Sequence, residues 1–270
     1  MKAHKKVKLG KHPPRIDYRA FRLADYVTRK LPPPPLKADL TAKVDTWPMM
    51  GNDEYNDCAF AAAGHLIMEW TANTGRPVTP GEKSILAAYS AVTGFVKKKG
   101  GHGPGAVVLD VLNHWRQRGI AGHRIAAFLS LTLKDREEIR EAVARFGGCY
   151  LGLNFTRERK DFPLVLSKAN LWRVRPGKRG GPGKPNPNKG HVVAVVGYDP
   201  RALTCVSWED TYQMTWKFWE RYADEAFAII SPDWLRGKRL PVEFNLPAVL
   251  ADLKKVKRLK RQRRAMSGTN

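Results

Sequence analysis

The chain has 270 residues, 43% of them hydrophobic with eight Trp and ten Phe, enough to bury a sizeable core. Its three cysteines, Cys58, Cys149 and Cys205, are too few and too odd in number for a disulfide framework. No apolar run approaches the roughly 20 residues of a membrane span, and the basic start Met1–Lys11 lacks the apolar stretch of a secretion signal; the expectation is a cytoplasmic protein with no membrane partner.

The net charge of +23 is uneven: residues 1–45 carry +8, residues 236–270 carry +9, and the 190 residues between them carry only +6. The termini, rather than the body, are therefore the expected contacts for polyanions. Residues 1–46 read as a basic, Pro-rich arm whose run Pro32–Pro35 forms a stiff polyproline II spacer. Tyr18, Phe21, Leu23 and Tyr26 give this arm the means to dock, on its own body or on a partner. A domain over 47–235 follows, helical over about 47–148 and β-rich over about 149–235, and 236–270 is a basic tail.

The run Cys58-Ala-Phe-Ala-Ala-Ala-Gly-His-Leu-Ile-Met-Glu-Trp predicts a central helix, apolar nearly all round and closing near Gly75. Further helices are predicted at Pro80–Thr93, Gly105–Arg118 and Lys134–Phe146, the last ending on Gly147-Gly148. The period then changes, and Cys149–Phe155, His191–Tyr198, Leu203–Trp208 and Glu225–Ile230 read as strands. Arg173–Gly190, loaded with Gly, Pro, Lys and Arg, is predicted to be a mobile loop.

Two residues stand where chemistry can be built. A thiol at a helix N-terminus, where Cys58 falls, meets free backbone N–H groups and the positive end of the helix dipole, which favour the thiolate. His191 opens a strand after the flexible loop, and an imidazole there can act as base and then as acid. Asp57 has two opposed effects: as an N-cap it would stabilise the helix by about 1 kcal/mol, and its charge would oppose ionisation of the thiol. A small buried hydrophobe is the alternative role for Cys58. His65 reads as a core histidine, and Cys149 and Cys205 as packing residues on strands. His102, His114 and His123 lack partners at metal-ligand spacing, so neither a metal nor another cofactor is implied. Gly100–Gly105 lacks the Lys-Ser/Thr of a phosphate loop and reads as a tight turn in a cleft wall.

Three segments, in order, resemble the papain-like cysteine peptidase superfamily, in a branch found in bacteria and their phages. They are Gly51-Asn-Asp-Glu-Tyr-Asn-Asp-Cys58-Ala-Phe-Ala-Ala, Gly190-His191-Val-Val-Ala-Val-Val-Gly-Tyr and Val206-Ser207-Trp208. The resemblance implies an α+β, two-lobed fold in which a helical N-terminal lobe packs on an antiparallel β-rich C-terminal lobe. It implies Cys58 as nucleophile, His191 as general base and Asn52, in place of the usual Gln, as the side-chain oxyanion donor beside the Cys58 backbone N–H. Val206 stands where the family has the Asn that orients the imidazole, which leaves Ser207, Glu209 and Asp210 as polar substitutes and Trp208 as the shield. The implied function is thiol hydrolysis of a peptide or protein substrate.

The alternative is a catalytically reduced papain-fold component of a phage particle or other assembly, packaged in a virion and holding a capsid surface or nucleic acid through its basic termini. Lys254, Lys255, Lys257, Arg258, Lys260, Arg261, Arg263 and Arg264, eight basic residues in eleven, are the candidate contacts, through phosphate neutralisation rather than base readout.

Overall fold

The computed structural model describes residues 8–15, 21–28, 31–97, 101–156, 171–174 and 183–267. Among these are α1 (Cys58–Asn73), α2 (Glu82–Thr93), α3 (Val108–Gln117), α4 (Arg136–Phe146), α5 (Trp216–Tyr222), the short α6 (Pro232–Leu235) and α7 (Leu246–Ser267). The strands are β1 (Ala38–Asp39), β2 (Ala127–Ser130), β3 (Cys149–Thr156), β4 (Leu171–Trp172), β5 (Pro185–Tyr198), β6 (Ala202–Ser207), β7 (Asp210–Thr215) and β8 (Ala223–Ile230). They form one sheet in the order β2-β8-β3-β5-β6-β7-β4, with β1 added to the end of β5. All pairings are antiparallel except β4 with β7. The fold is α+β.

The sheet is buried on both faces, which is why β5 carries an unbroken apolar run rather than an alternating one. Val193 and Val195 point into one core with Leu151, Leu153, Leu203 and Cys205. Val192, Ala194 and Val196 point into the other with Tyr150, Val206 and α1 to α3. Helix α4 comes from the helical part of the chain, yet its Ile139, Ala142, Val143 and Phe146 join the first core, across the sheet from α1. Its N-cap Asp135 accepts from the amides of Glu137 and Glu138, and Gly147, at φ 75°, closes it.

Helix α1 is buried along all but its last residue, and four alanines in its first two turns let β5 approach closely. His65 is a core histidine: one ring nitrogen bonds the Pro48 carbonyl at 2.9 Å, and the ring edge meets Trp47.

The structure corrects several sequence expectations. Strand β5 begins at Pro185, so Pro185–Gly190 is strand and His191 lies inside it rather than opening it; the rest of the predicted loop includes 175–182, outside the described residues. Helix α3 starts at Val108, because the backbone of Ala106 is engaged by the N-terminal segment: His12 N–H donates to its carbonyl at 2.9 Å and its N–H donates to Gly10 at 2.7 Å. Strand β7 was not anticipated. It follows a tight turn in which Trp208 takes φ 55°.

Both basic ends of the chain touch the body. Leu23 and Tyr26 are buried in the first core, while Tyr18 lies outside the described residues. The basic C-terminal segment is helical over Leu246–Ser267; its first turns bury Val249 and place Asp252 within 3.1 Å of the Tyr26 hydroxyl.

Candidate active site

Cys58 is the first residue of α1 and is buried. The backbone N–H groups of Val192 and Gly10 lie against its sulfur, so the thiol sits beside β5 at the residue that follows His191. Burial pushes the thiol up to about 12; these two amides and Lys11 pull the other way, and Asp57 adds to the rise.

Asp57 does not act as the predicted cap. Its φ and ψ of −103° and 17° lie outside the extended region of an N-cap, and its side chain bonds no amide of the first turn. Both carboxylate oxygens are buried, and among the described residues no well-aligned hydrogen bond reaches them. Desolvation therefore holds its carboxyl well above the usual range, with Asn52 as the largest opposing influence. Asn52 is buried too, and its amide donates to the Tyr55 carbonyl at 3.1 Å, closing the loop before α1. The wall facing this loop is Gly101–Gly105: Asn56 donates to the Gly103 carbonyl at 2.7 Å, and His102 bonds the Glu54 carbonyl at 2.9 Å.

His191 is enclosed on the other side. Its ring stacks on Trp208 at 4.6 Å and 21° and on Phe155 at 5.7 Å and 29°. Nε2 bonds Ser207 Oγ at 2.7 Å, and Nδ1, also buried, makes no hydrogen bond among the described residues. Burial brings the imidazole down to about 3, so the ring is neutral at physiological pH. Val206 points into the opposite core, and Ser207 meets the ring instead. Glu209 and Asp210 lie beyond on the exposed turn and border a shallow depression with Thr41, Thr46 and Trp47.

A segment with no obvious motif runs between the two halves. Lys8 N–H donates to Asn52 at 3.0 Å, Lys11 N–H donates to the Gly190 carbonyl at 3.1 Å, and Trp208 Nε1 reaches the Lys8 carbonyl at 3.3 Å. Gly190 has to be glycine for this approach, since a Cβ there would stand 2.2 Å from the Lys11 carbonyl oxygen. Leu9–His12 thus covers the thiol, and it shows the sulfur an N–H rather than a carbonyl, because the Gly10 carbonyl faces Ala106.

Solved structures share this architecture. Xylellain, a cysteine protease from Xylella fastidiosa, matches with a TM-score of 0.59 at 17% identity over 86% of this chain and 98% of that one. The fold is that of the papain-like cysteine peptidases. The cysteine protease and lectin-like domains of Cwp84 from Clostridium difficile match at a TM-score of 0.54 and 12% identity over 86% of this chain, which spans only 57% of that one. Procathepsin L 3 of Tenebrio molitor matches at 0.50 and 14% identity over 83% of this chain and 75% of that one. No protein-family model and no curated protein matches by sequence.

Sequence reasoning about this papain-like fold missed Phe155 and the Gly10–Lys11 cover. For Phe155 the signal was strand periodicity, which puts it on the same face as Leu153, the residue that pairs with His191 in the structure. For the cover there was none.

Proposed function

We propose that the chain is a thiol hydrolase acting on peptide bonds, held with its groove filled by its own Lys8–His12 segment. The observation that carries the reading is the setting of His191: Ser207 fixes Nε2, two aromatic rings fix the plane, and Nδ1 is left without a hydrogen bond among the described residues. Ser207 does here what the family's Asn does, one position further along.

With the segment displaced and the groove hydrated, the thiol proton passes to His191 Nδ1 and the thiolate attacks the substrate carbonyl carbon. The C–S bond forms, the carbonyl π pair moves to oxygen, and the oxyanion is met by the Cys58 backbone N–H, one of the unsatisfied amides at the helix start. Asn52 supplies a second donor on turning from Tyr55. Collapse breaks the C–N bond, His191 gives its proton to the departing amine, and water, deprotonated by the same ring, releases the acid from the acyl-enzyme. Labelling with a thiol-directed electrophilic peptide ketone tests this: modification at Cys58, abolished by Cys58→Ala, is expected. Absence of labelling in a variant whose segment has been displaced sinks the reading.

A second reading has one observation in its favour. Lys254, Lys255, Lys257 and Arg258 are exposed on α7, free of the body's cores, while the side chains of Lys260, Arg261, Arg263 and Arg264 are outside the described set. Such a helix suits a polyanion on nucleic acid or an assembly surface such as a capsid. Replacing those four residues by Gln should then abolish a salt-sensitive retention on immobilised DNA; unchanged retention removes this reading.

A further inference from the structure

The covering segment does more than block the groove, because one of its side chains fills a built pocket. Lys11 is a lysine with no exposed side-chain surface. Its Nζ donates to Asp224 Oδ2 at 2.8 Å and to the His12 carbonyl at 3.0 Å, and stands 3.4 Å from Glu225 Oε1. Asn154 Nδ2 holds Asp224 Oδ2 at 2.7 Å, so the carboxylate is positioned from β3 as well as β8. The stem has room because β3 carries Gly152 at this point; a Cβ there would lie 2.7 Å from Lys11 Cε and 2.6 Å from Glu225 Cγ.

Two carboxylates face one ammonium: burial raises Glu225 to about 7 against the pull of Lys11, and Asp224 Oδ1 and Asn154 Oδ1 are buried with no hydrogen bond among the described residues. An isolated buried carboxylate is costly, so a pocket holding two of them is arranged for a cationic occupant. The intramolecular occupant is not a substrate, since it turns an N–H to the sulfur. It nevertheless demonstrates which side chain the pocket accepts when a backbone lies along Gly190 and Ala106.

We propose that the Asp224–Glu225 pocket is a substrate subsite selective for lysine, so that the substrates are polypeptides carrying lysine at the position that pairs with Gly190. This rests on the reading of the groove as the catalytic groove of a thiol hydrolase, and the test separates the two.

The test uses the full-length Gly10→Val/Lys11→Ala chain, whose own segment is displaced. Fluorescein-labelled peptides of sequence Lys-Leu-Gly-X-His-Pro-Pro-Arg, with X as lysine, norleucine or glutamate, are titrated by polarisation. Lysine is expected to bind at least tenfold tighter than norleucine, with glutamate weakest, and the preference should vanish in Asp224→Asn/Glu225→Gln on the same background. Equal binding of lysine and norleucine, a preference that survives removal of both carboxylates, or no binding of any peptide overturns the proposal. In a parallel arm, peptide ketones with lysine or norleucine at X are scored for modification of Cys58. A lysine preference in binding with no modification of Cys58 keeps the pocket and sinks the hydrolase reading. Modification of Cys58 with no lysine preference does the reverse.

Discussion

His191 sits where every neighbour is committed: two stacked aromatic rings, a hydroxyl on Nε2, and the central strand of a sheet buried on both sides. Cys58, whose sulfur lies against the Val192 amide of the same strand, sits among groups that are not. Its helix lacks a side-chain cap, the Asp57 carboxylate is buried with no well-aligned hydrogen bond among the described residues, and the sulfur is closed off by a segment from the far N-terminus. The contrast teaches that the imidazole half is held by the fold itself, whereas the protonation state of the thiol half depends on what lies in the groove. Two perturbations separate these cases most sharply. Gly10→Val would place a side chain where even a Cβ stands 1.9 Å from the Asn56 carbonyl oxygen, expelling the segment. As water returns and the thiol moves from about 12 back toward its ordinary 9, iodoacetamide labelling of Cys58 at pH 8 should rise about a thousandfold, following the thiolate fraction. No acceleration would mean that the fold, and not the segment, buries the thiol.

Trp208→Ala attacks the other half. Removing a fully buried ring that stacks on His191 and contacts Trp172 and Tyr212 should cost about 3–5 kcal/mol in urea unfolding. A loss below about 1 kcal/mol would show that the imidazole half is no more fixed than the thiol half. Ser207→Ala is milder: it leaves His191 Nε2 buried and unpaired, at a cost of about 1–3 kcal/mol. In the Gly10→Val background it should also slow peptide-ketone labelling about tenfold, and Ser207→Thr, which keeps the hydroxyl, should restore most of that rate; equal rates in all three chains would remove Ser207 as the orienting group.

How much of this was legible in the sequence divides along the same line. Helix α1 and the core of β5 were readable because burial on every side leaves an apolar run with nothing to interrupt it, and Gly190-His191 marked the imidazole. The orienting group was legible only as one of several polar residues after Val206; the choice of Ser207 depends on the pairing of Ala194 with Val206, which turns the valine into the opposite core. Pro185–Gly190 has loop composition and becomes strand because Lys11 and β3 supply partners far away in sequence. Lys11 was counted among the charges of a basic arm, and nothing local distinguishes it from Lys8. Its partners, Asp224 and Glu225, lie 213 residues or more further along, where their carboxylates look like the solvated edge of a strand.

The smallest expected effect probes the least satisfied group in the thiol half. Asp57 has a folded-state pKa well above the usual carboxylate value because burial disfavours its charge. The folded state therefore holds its proton more tightly than the unfolded state does, and the group contributes a penalty that is absent below the unfolded value near 4 and grows as pH rises toward the folded value. Asp57→Asn keeps the shape and removes the charge, so it should stabilise the protein by about 1–2 kcal/mol at pH 8, within the range for a buried unsatisfied polar group, and by nothing at pH 4. His191 has the opposite sign: lowered to about 3, it contributes stability that is complete above its unfolded value of 6.5 and is lost as pH falls toward 3. A wild-type acid titration sums the two and reveals neither, but the difference between wild type and Asp57→Asn cancels the histidine. A difference that is flat from pH 4 to 8 would mean that the Asp57 carboxylate is solvated, and that the thiol half is less strained than its unpaired oxygens indicate.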